Sequence, residues 1–225
     1  NTVNLIIDQG NTRTKLALFK NGDLYKSTII DAPMAADIIL WTGGAKVHRA
    51  IVSSVVGDEL YLQLKERSLF SVTQMTHQTP VPFINSYGTP QTLGLDRIAL
   101  VAGAIKDFPN KNCLVIDAGT CITYDFLNSV GEYLGGGISP GIEMRLKAMN
   151  KFTAKLPLGK TSDLNDFIGT TTLESISSGA VHGAINEIQG TINKYEDRFG
   201  EMITILTGGD LRVFDGLLKN SIFAA

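Results

Sequence analysis

Two acids in this chain end apolar runs, where an unpaired carboxylate is expensive to bury. In IIDQGNTRTK (6–15) the acid is Asp8, and in LVIDAGTCIT (114–123) it is Asp117. Each is followed two residues later by a glycine, Gly10 or Gly119, and then by short polar side chains: Asn11 and Thr12 in the first stretch, Thr120 in the second. A glycine turn lets backbone N–H groups approach an anion, because no Cβ stands in the way. Asn11, Thr12 and Thr120 add side-chain donors, and Lys15 can return positive charge to the first turn. An acid among anion-binding donors makes sense when a cation shares the site, since Mg²⁺ with its waters and alkali cations take carboxylate and phosphate oxygens. A polyphosphate held together with a cation is the chemistry this pattern points to. The alternative is that each Asp bonds its own backbone and merely stabilises the turn. Two copies in matched context weigh against that.

These turns need strands to hold them. VNLIID (3–8) and TKLALF (14–19) read as strands joined through Gly10-Asn11-Thr12, and Asn21-Gly22 is a type I′ hairpin signal leading to a third strand. PMAADIILW (33–41) reads as a short helix with Pro33 at its start, RAIVSSVV (49–56) as a strand, and DELYLQLKERS (58–68) as a helix. The stretch 76–95, rich in Pro, Thr and Gly, reads as an irregular loop of about 20 residues, a length usually tied to function or disorder. DRIALVAGAIKDF (96–108) is a mostly apolar, buried helix. CLVID, TCITYDFL and EYLGGGI (113–138) then repeat the three-strand meander: Gly22 lies 14 residues after Asp8, and Gly131 lies 14 residues after Asp117. Helices over 142–152 and about 171–198 follow, then ITILTGGD (203–210) as strand, glycine turn and helix start. A repeat present twice is a duplicated domain, not a solenoid. The expected division is 1–95 and 96–225, each half carrying one phosphate loop.

Composition narrows the partners. The chain has 225 residues, 44% hydrophobic and 19% charged, as in ordinary globular domains. A net charge of −2 makes no case for nucleic acid or an anionic membrane, and no apolar run approaches the roughly 20 residues of a membrane helix. Cys113 and Cys121 lack metal-ligand spacing and read as small buried hydrophobes of a reducing, cytoplasmic compartment. The opening NTVNLII does not read as a signal peptide, and a chain with no initiator Met reads as trimmed or incomplete. His48, His77 and His182 are scattered, without zinc-site spacing. LGKTS (158–162) is no P-loop, since position 154 is Ala where the first glycine is required, and GGGISPG (135–141) does not meet the dinucleotide fingerprint.

Two Asp-x-Gly meanders, each followed by helices, resemble the acetate and sugar kinase, Hsp70 and actin superfamily. DQGNTRTK (8–15), YGTPQTLGLDR (87–97), DAGTCITYD (117–125), GGGISPG (135–141), IGTTTLESISSG (168–179) and TGGD (207–210), in this order, resemble more specifically the type III pantothenate kinases. The resemblance implies an α/β fold of duplicated ribonuclease H-like, actin-like ATPase domains. It also implies ATP-dependent phosphorylation of pantothenate, the first step of coenzyme A biosynthesis. Asp8, Gln9, Gly10, Asn11, Thr12, Arg13, Thr14 and Lys15 would form the first ATP-phosphate loop, with Mg²⁺ reached through water by Asp8. Thr120 would be a second phosphate contact, TGGD would lie on the adenosine side, and Asp117 would bind a monovalent cation, K⁺ or NH₄⁺. Gly94, Leu95, Asp96 and Arg97 resemble the family's substrate segment. Asp96 would be the general base, Arg97 the partner of the pantothenate carboxylate, and Tyr87 a further substrate contact. Thr172 matches a contact donated by a neighbouring subunit, so the resemblance implies a homodimer whose substrate site includes the subunit interface. Helix capping by Asp96 or Thr172 is the plainer role for each, compatible with the first. The competing functional expectation is a non-catalytic regulatory protein on the same fold. Retention of Asp8, Asp96 and Asp117 weighs against it.

Overall fold

The structure, a computed structural model, describes residues 2–10, 13–214 and 221–223. The chain divides into two compact units. The first comprises Asn1–Pro80 with Gly94–Asp96, and the second Val81–Leu93 with Arg97–Ala225. The sequence suggests a single boundary at 95/96; in the structure Val81–Leu93 groups with the second unit instead.

In the first unit β1 (Val3–Gln9), β2 (Arg13–Lys20) and β3 (Asp23–Asp31) form an antiparallel meander. Asn21 and Gly22 both take positive φ, 55° and 100°, as a type I′ turn requires. After α1 (Ala35–Trp41), β4 (Val47–Ser54) returns parallel to β1. After α2 (Glu59–Arg67), β5 (Ser71–Gln74) adds parallel to β4, giving the order β3-β2-β1-β4-β5. Pro33 precedes Met34, the residue that caps α1, so it lies just outside the helix it was expected to begin. Leu5 and Ile7 of β1 and Leu16 and Leu18 of β2 alternate inward, packing with Ile38, Leu60 and Leu64 of the helices. The register sets Asp8 opposite Lys15 and beside Ser53.

The second unit repeats this connectivity. β6 (Ile84–Asn85) and a 3₁₀ turn (Pro90–Thr92) interrupt what the sequence suggests is an irregular loop, and α3 spans Leu95–Asp107, its first two residues grouping with the first unit. β7 (Cys113–Ala118), β8 (Cys121–Leu127) and β9 (Glu132–Pro140) form the second meander, and β10 (Ile203–Thr207) runs parallel to β7 as β4 does to β1. With β11 (Ser221–Phe223) the order is β11-β10-β7-β8-β9-β6. Gly131 turns the β8–β9 hairpin with φ 81°, as Gly22 turns its counterpart.

Between β9 and β10 lie α4 (Ile142–Lys151), a 3₁₀ turn (Thr161–Asp163) and α5 (Thr172–Phe199); α6 (Leu211–Phe214) follows β10. The apolar stripe of α5, including Ile176, Val181, Ile188 and Ile192, packs with Leu114, Ile116, Ile122 and Phe126 of the sheet. Its start is a reciprocal cap: Thr171 Oγ1 accepts from the Glu174 N–H and Glu174 Oε2 accepts from the Thr171 N–H. Thr172 is therefore the first helical residue and not the cap. Among the described residues, no helix is long and apolar enough to cross a membrane.

Candidate active site

The first turn closes on itself through the Gly10 N–H, which donates to the Arg13 carbonyl at 2.9 Å. Asp8 sits one residue from the end of β1, with Lys15 Nζ 3.9 Å from its Oδ2. Burial pushes the Asp8 carboxyl above its ordinary range; Lys15 draws it down, and the charge of Asp96 pushes it up again. Asp8 and Asp96, both in the first unit, are thus close enough to repel. Gln9 turns its Oε1 to the Ser54 hydroxyl (2.9 Å), so its side chain serves the sheet. Arg13 and Lys15 are exposed on one face of β2, Arg13 lying 3.7 Å from Asp31. Thr14, expected among the phosphate-loop residues, points the other way and is only 1% exposed, because side chains alternate along a strand. Asn11 and Thr12 lie outside the described residues.

The second turn is assembled from three segments. The Gly119 N–H donates to the Cys121 carbonyl at 3.0 Å, the counterpart of the Gly10 bond. Gly141 packs so tightly on it that a Cβ there would overlap the Gly119 carbonyl oxygen. Gly208, from the TGGD segment, is pressed against Asp117 Oδ1 and the Ala118 backbone, while the Asp210 N–H donates to the Ala118 carbonyl (3.0 Å). Thr120 is exposed at the tip and Asp117 is half-buried. A carboxylate at a strand end, cradled by a glycine whose Cβ would fill the space, is an oxygen-rich setting that fits an alkali cation or a hydrated Mg²⁺. Among the described residues, no group of three or more His, Cys, Asp or Glu side chains is gathered to hold a metal. Cation binding there would rely on one carboxylate with backbone, water or phosphate oxygens.

Gly94 precedes α3, Leu95 opens it, and Asp96 is exposed in its first turn, where the helix dipole favours an acid. Arg97 is 5% exposed. Its Nε donates to Asp125 Oδ1 at 2.9 Å and its Nη2 lies 2.8 Å from the same oxygen. Tyr133 Oη donates to that oxygen at 2.6 Å. Tyr87 stacks on Tyr133 with centroids 6.1 Å apart, and the Arg97 guanidinium carbon is 5.8 Å from the Tyr87 ring centre. Burial pushes the Asp125 carboxyl up, while Arg97 and Tyr133 draw it back. Thr172 is exposed at the start of α5, next to a groove of about 440 Å³ lined by Phe167, Ser175, Gly179, His182 and Gly183 among others.

Asp125, Tyr133 and Glu187 are missing from the residues picked out in the sequence. Glu187 of α5 receives hydrogen bonds from Tyr124 Oη (2.9 Å), Ser139 Oγ and Arg145 Nη2, and Arg145 Nε also donates to the Pro140 carbonyl, tying the GGGISPG segment to α4 and α5. The available signal was an acid inside an apolar run: Asp125 in TYDFL has to find a partner.

A family profile described as type III pantothenate kinase matches residues 4–194. A type III pantothenate kinase of Christiangramia forsetii is 43% identical over 227 residues, covering 99% of this chain and 92% of that protein. One from Flavobacterium johnsoniae is 40% identical over 222 residues, covering 98% and 91%. Among solved structures, a Campylobacter jejuni protein assigned to the Baf family of transcriptional activators matches with a TM-score of 0.63 at 23% identity, over 98% of this chain and 90% of that one. A ROK hexokinase from Thermus thermophilus matches with a TM-score of 0.55 at 13% identity, over 99% and 92%. At such identities the structures speak for the fold alone: the duplicated α/β arrangement shared with sugar kinases.

Proposed function

Because the chain belongs to the type III pantothenate kinase family, we propose roles for its own residues in the transfer of phosphate from ATP to pantothenate. The protein is a kinase that phosphorylates pantothenate with ATP in coenzyme A biosynthesis. Asp96 is the general base: its carboxylate takes the proton of the attacking hydroxyl as that oxygen bonds to the γ-phosphorus and the bond to ADP breaks. What supports this reading is the nearness of Asp96 to Asp8 of the first turn, close enough for its charge to raise the Asp8 carboxyl. The backbone of Gly10 and the cations of Arg13 and Lys15 serve the ATP phosphates. Thr120 and the Gly119 turn supply a second phosphate contact.

Mg²⁺, brought with ATP, neutralises developing charge on the phosphate oxygens when bound. Asp8 would hold it through water. Asp117, with the space that Gly208 leaves, would hold K⁺ or NH₄⁺. Arg97 and Tyr87 recognise pantothenate, Arg97 through its carboxylate. The enzyme works as a cytoplasmic homodimer in which Thr172 of one subunit completes the substrate site of the other. The exposed Phe167 and Ile168 and the glycine-lined groove beside Thr172 support such a contact.

The deciding experiment couples ATP consumption to pantothenate addition, with Mg²⁺ and either K⁺ or Na⁺. Pantothenate-dependent turnover that requires K⁺ is expected. Asp96→Asn should then lower turnover by about 10²–10⁴-fold with nucleotide binding retained. Full activity in that variant would remove Asp96 as the base.

A further inference from the structure

Tyr87 and Arg97 come from different segments, a loop and a helix, yet both are tied to one side chain that the proposed reaction does not use, Arg97 directly and Tyr87 by way of Tyr133. Asp125 lies in the middle of β8, fully buried. One of its oxygens, Oδ1, receives Arg97 Nε, Arg97 Nη2 and Tyr133 Oη, at 2.9, 2.8 and 2.6 Å. Nε and Nη2 form one edge of the planar guanidinium, so their two contacts to a single oxygen fix the direction in which that edge points. The Nη2 group also reaches the Tyr124 carbonyl, at 3.4 Å.

Tyr133 carries the same constraint to the loop. It is 1% exposed, and its ring lies 25° from the plane of Tyr87 and edge-on to Phe83. Gly135, with φ 99°, leaves room for the Tyr87 ring, since a Cβ there would come within 3.1 Å of Tyr87 Cδ2. The Tyr87 ring in turn faces the Arg97 guanidinium. The four side chains close a ring of contacts: Asp125 to Arg97, Arg97 to Tyr87, Tyr87 to Tyr133, and Tyr133 back to Asp125.

We propose that Asp125 is a positioning residue for pantothenate, setting Arg97 directly and Tyr87 through Tyr133. This rests on the reading that Arg97 meets the substrate carboxylate. A carboxylate buried only to stabilise the sheet would be a poor device, because replacing a buried ion pair with apolar groups is often neutral or stabilising. Its value lies in holding a fork-shaped donor at one angle, which a ligand carboxylate then finds ready-made.

The test compares Asp125→Asn and Tyr133→Phe with the unaltered enzyme. Pantothenate is the substrate, and panthenol, the analogue with an alcohol in place of the carboxylate, is the probe. Asp125→Asn should raise KM for pantothenate about tenfold or more while KM for ATP stays within about twofold, and the preference for pantothenate over panthenol should fall. Tyr133→Phe keeps the ion pair and the ring, so folding is preserved if Asp125→Asn proves unstable. It should raise KM for pantothenate about three- to tenfold. Normal KM and undiminished discrimination in both variants would overturn the positioning role, whatever their melting temperatures. If the unaltered enzyme itself fails to distinguish the two substrates, the Arg97 reading falls first and the proposal falls with it.

Discussion

Gly208 stands directly against the carboxylate of Asp117: a Cβ at position 208 would overlap both Asp117 Oδ1 and the Ala118 carbonyl oxygen. The backbone there has φ 108°, a conformation L side chains rarely adopt. Gly208→Ala is therefore expected to destabilise the protein by about 1 kcal/mol or more. It should also push Asp117 out of place and abolish stimulation by K⁺. Asp117→Ala should abolish that stimulation without the backbone strain. Melting curves and turnover in K⁺ against Na⁺ check both, and K⁺ stimulation surviving in Asp117→Ala would place the cation elsewhere.

A shared substrate site can be tested by mixing subunits. Asp96→Asn and Thr172→Ala homodimers should each be impaired. Once subunits exchange, one site of the mixed dimer carries both changes and the other carries neither. Activity should recover to a fraction of that of the unaltered enzyme. No recovery, with exchange verified by differential tagging, would put Asp96 and Thr172 in the same subunit's site or in none.

Asp8 predicts a conflict between stability and activity. Its folded carboxyl is raised above the ordinary 3.8, so the folded state holds the proton more tightly than the unfolded chain. The stabilising, protonated form is present below that ordinary value and is lost as pH rises through the raised one. At neutral pH the ionised Asp8 is then a burden on the fold, and its exposed partner Lys15 offsets little of it. Asp8→Asn should melt at a higher temperature near neutral pH, with the difference shrinking towards pH of about 4, while turnover collapses. An unchanged or lower melting temperature at neutral pH would contradict this.

The two thiols should behave differently. Cys113 is fully buried, and burial pushes its thiol up to about 11, whereas Cys121 is partly exposed and follows Thr120 at the second turn. Iodoacetamide at neutral pH should label Cys121 well before Cys113, as read by peptide mass spectrometry. MgATP should slow that labelling. Indifference to MgATP would move the phosphates away from the Thr120 turn.

Local patterns were the legible ones. An acid that closes an apolar run and a glycine two residues on can be read within ten residues, and Asp8 and Asp117 occupy matching strand-end positions in the two sheets. Asn21-Gly22 announced its turn because few residue pairs tolerate positive φ twice. The Arg97–Asp125 pair was hidden because its members lie 28 residues apart and neither has a local reason to seek the other. Tyr124 and Asp125 are both buried, on opposite faces of a central strand, and burial on both faces erases the alternation that would have singled out the acid. The burial of Thr14 was hidden for the opposite reason: a motif names consecutive residues, but a strand sends every second one inward. β5 and β6 escaped notice because four and two residues are too few to show a period.

β6 ladders onto β9, so the stretch ahead of Asp96 is stitched to the sheet that follows it. A gene cut at codon 95/96 would strip Ile84, Phe83 and Tyr87 from the half that packs them, while a cut after Pro80 would carry Gly94–Asp96 off with them. The two copies of the ancestral fold are interlaced in the chain and are not simply concatenated. Recombination at the midpoint, the natural way to exchange one half of a duplicated protein for a foreign copy, would sever β6 and Tyr87 from the β9 residues they pair with and stack on. The pair of domains is therefore expected to be inherited, and to diverge, as a single block.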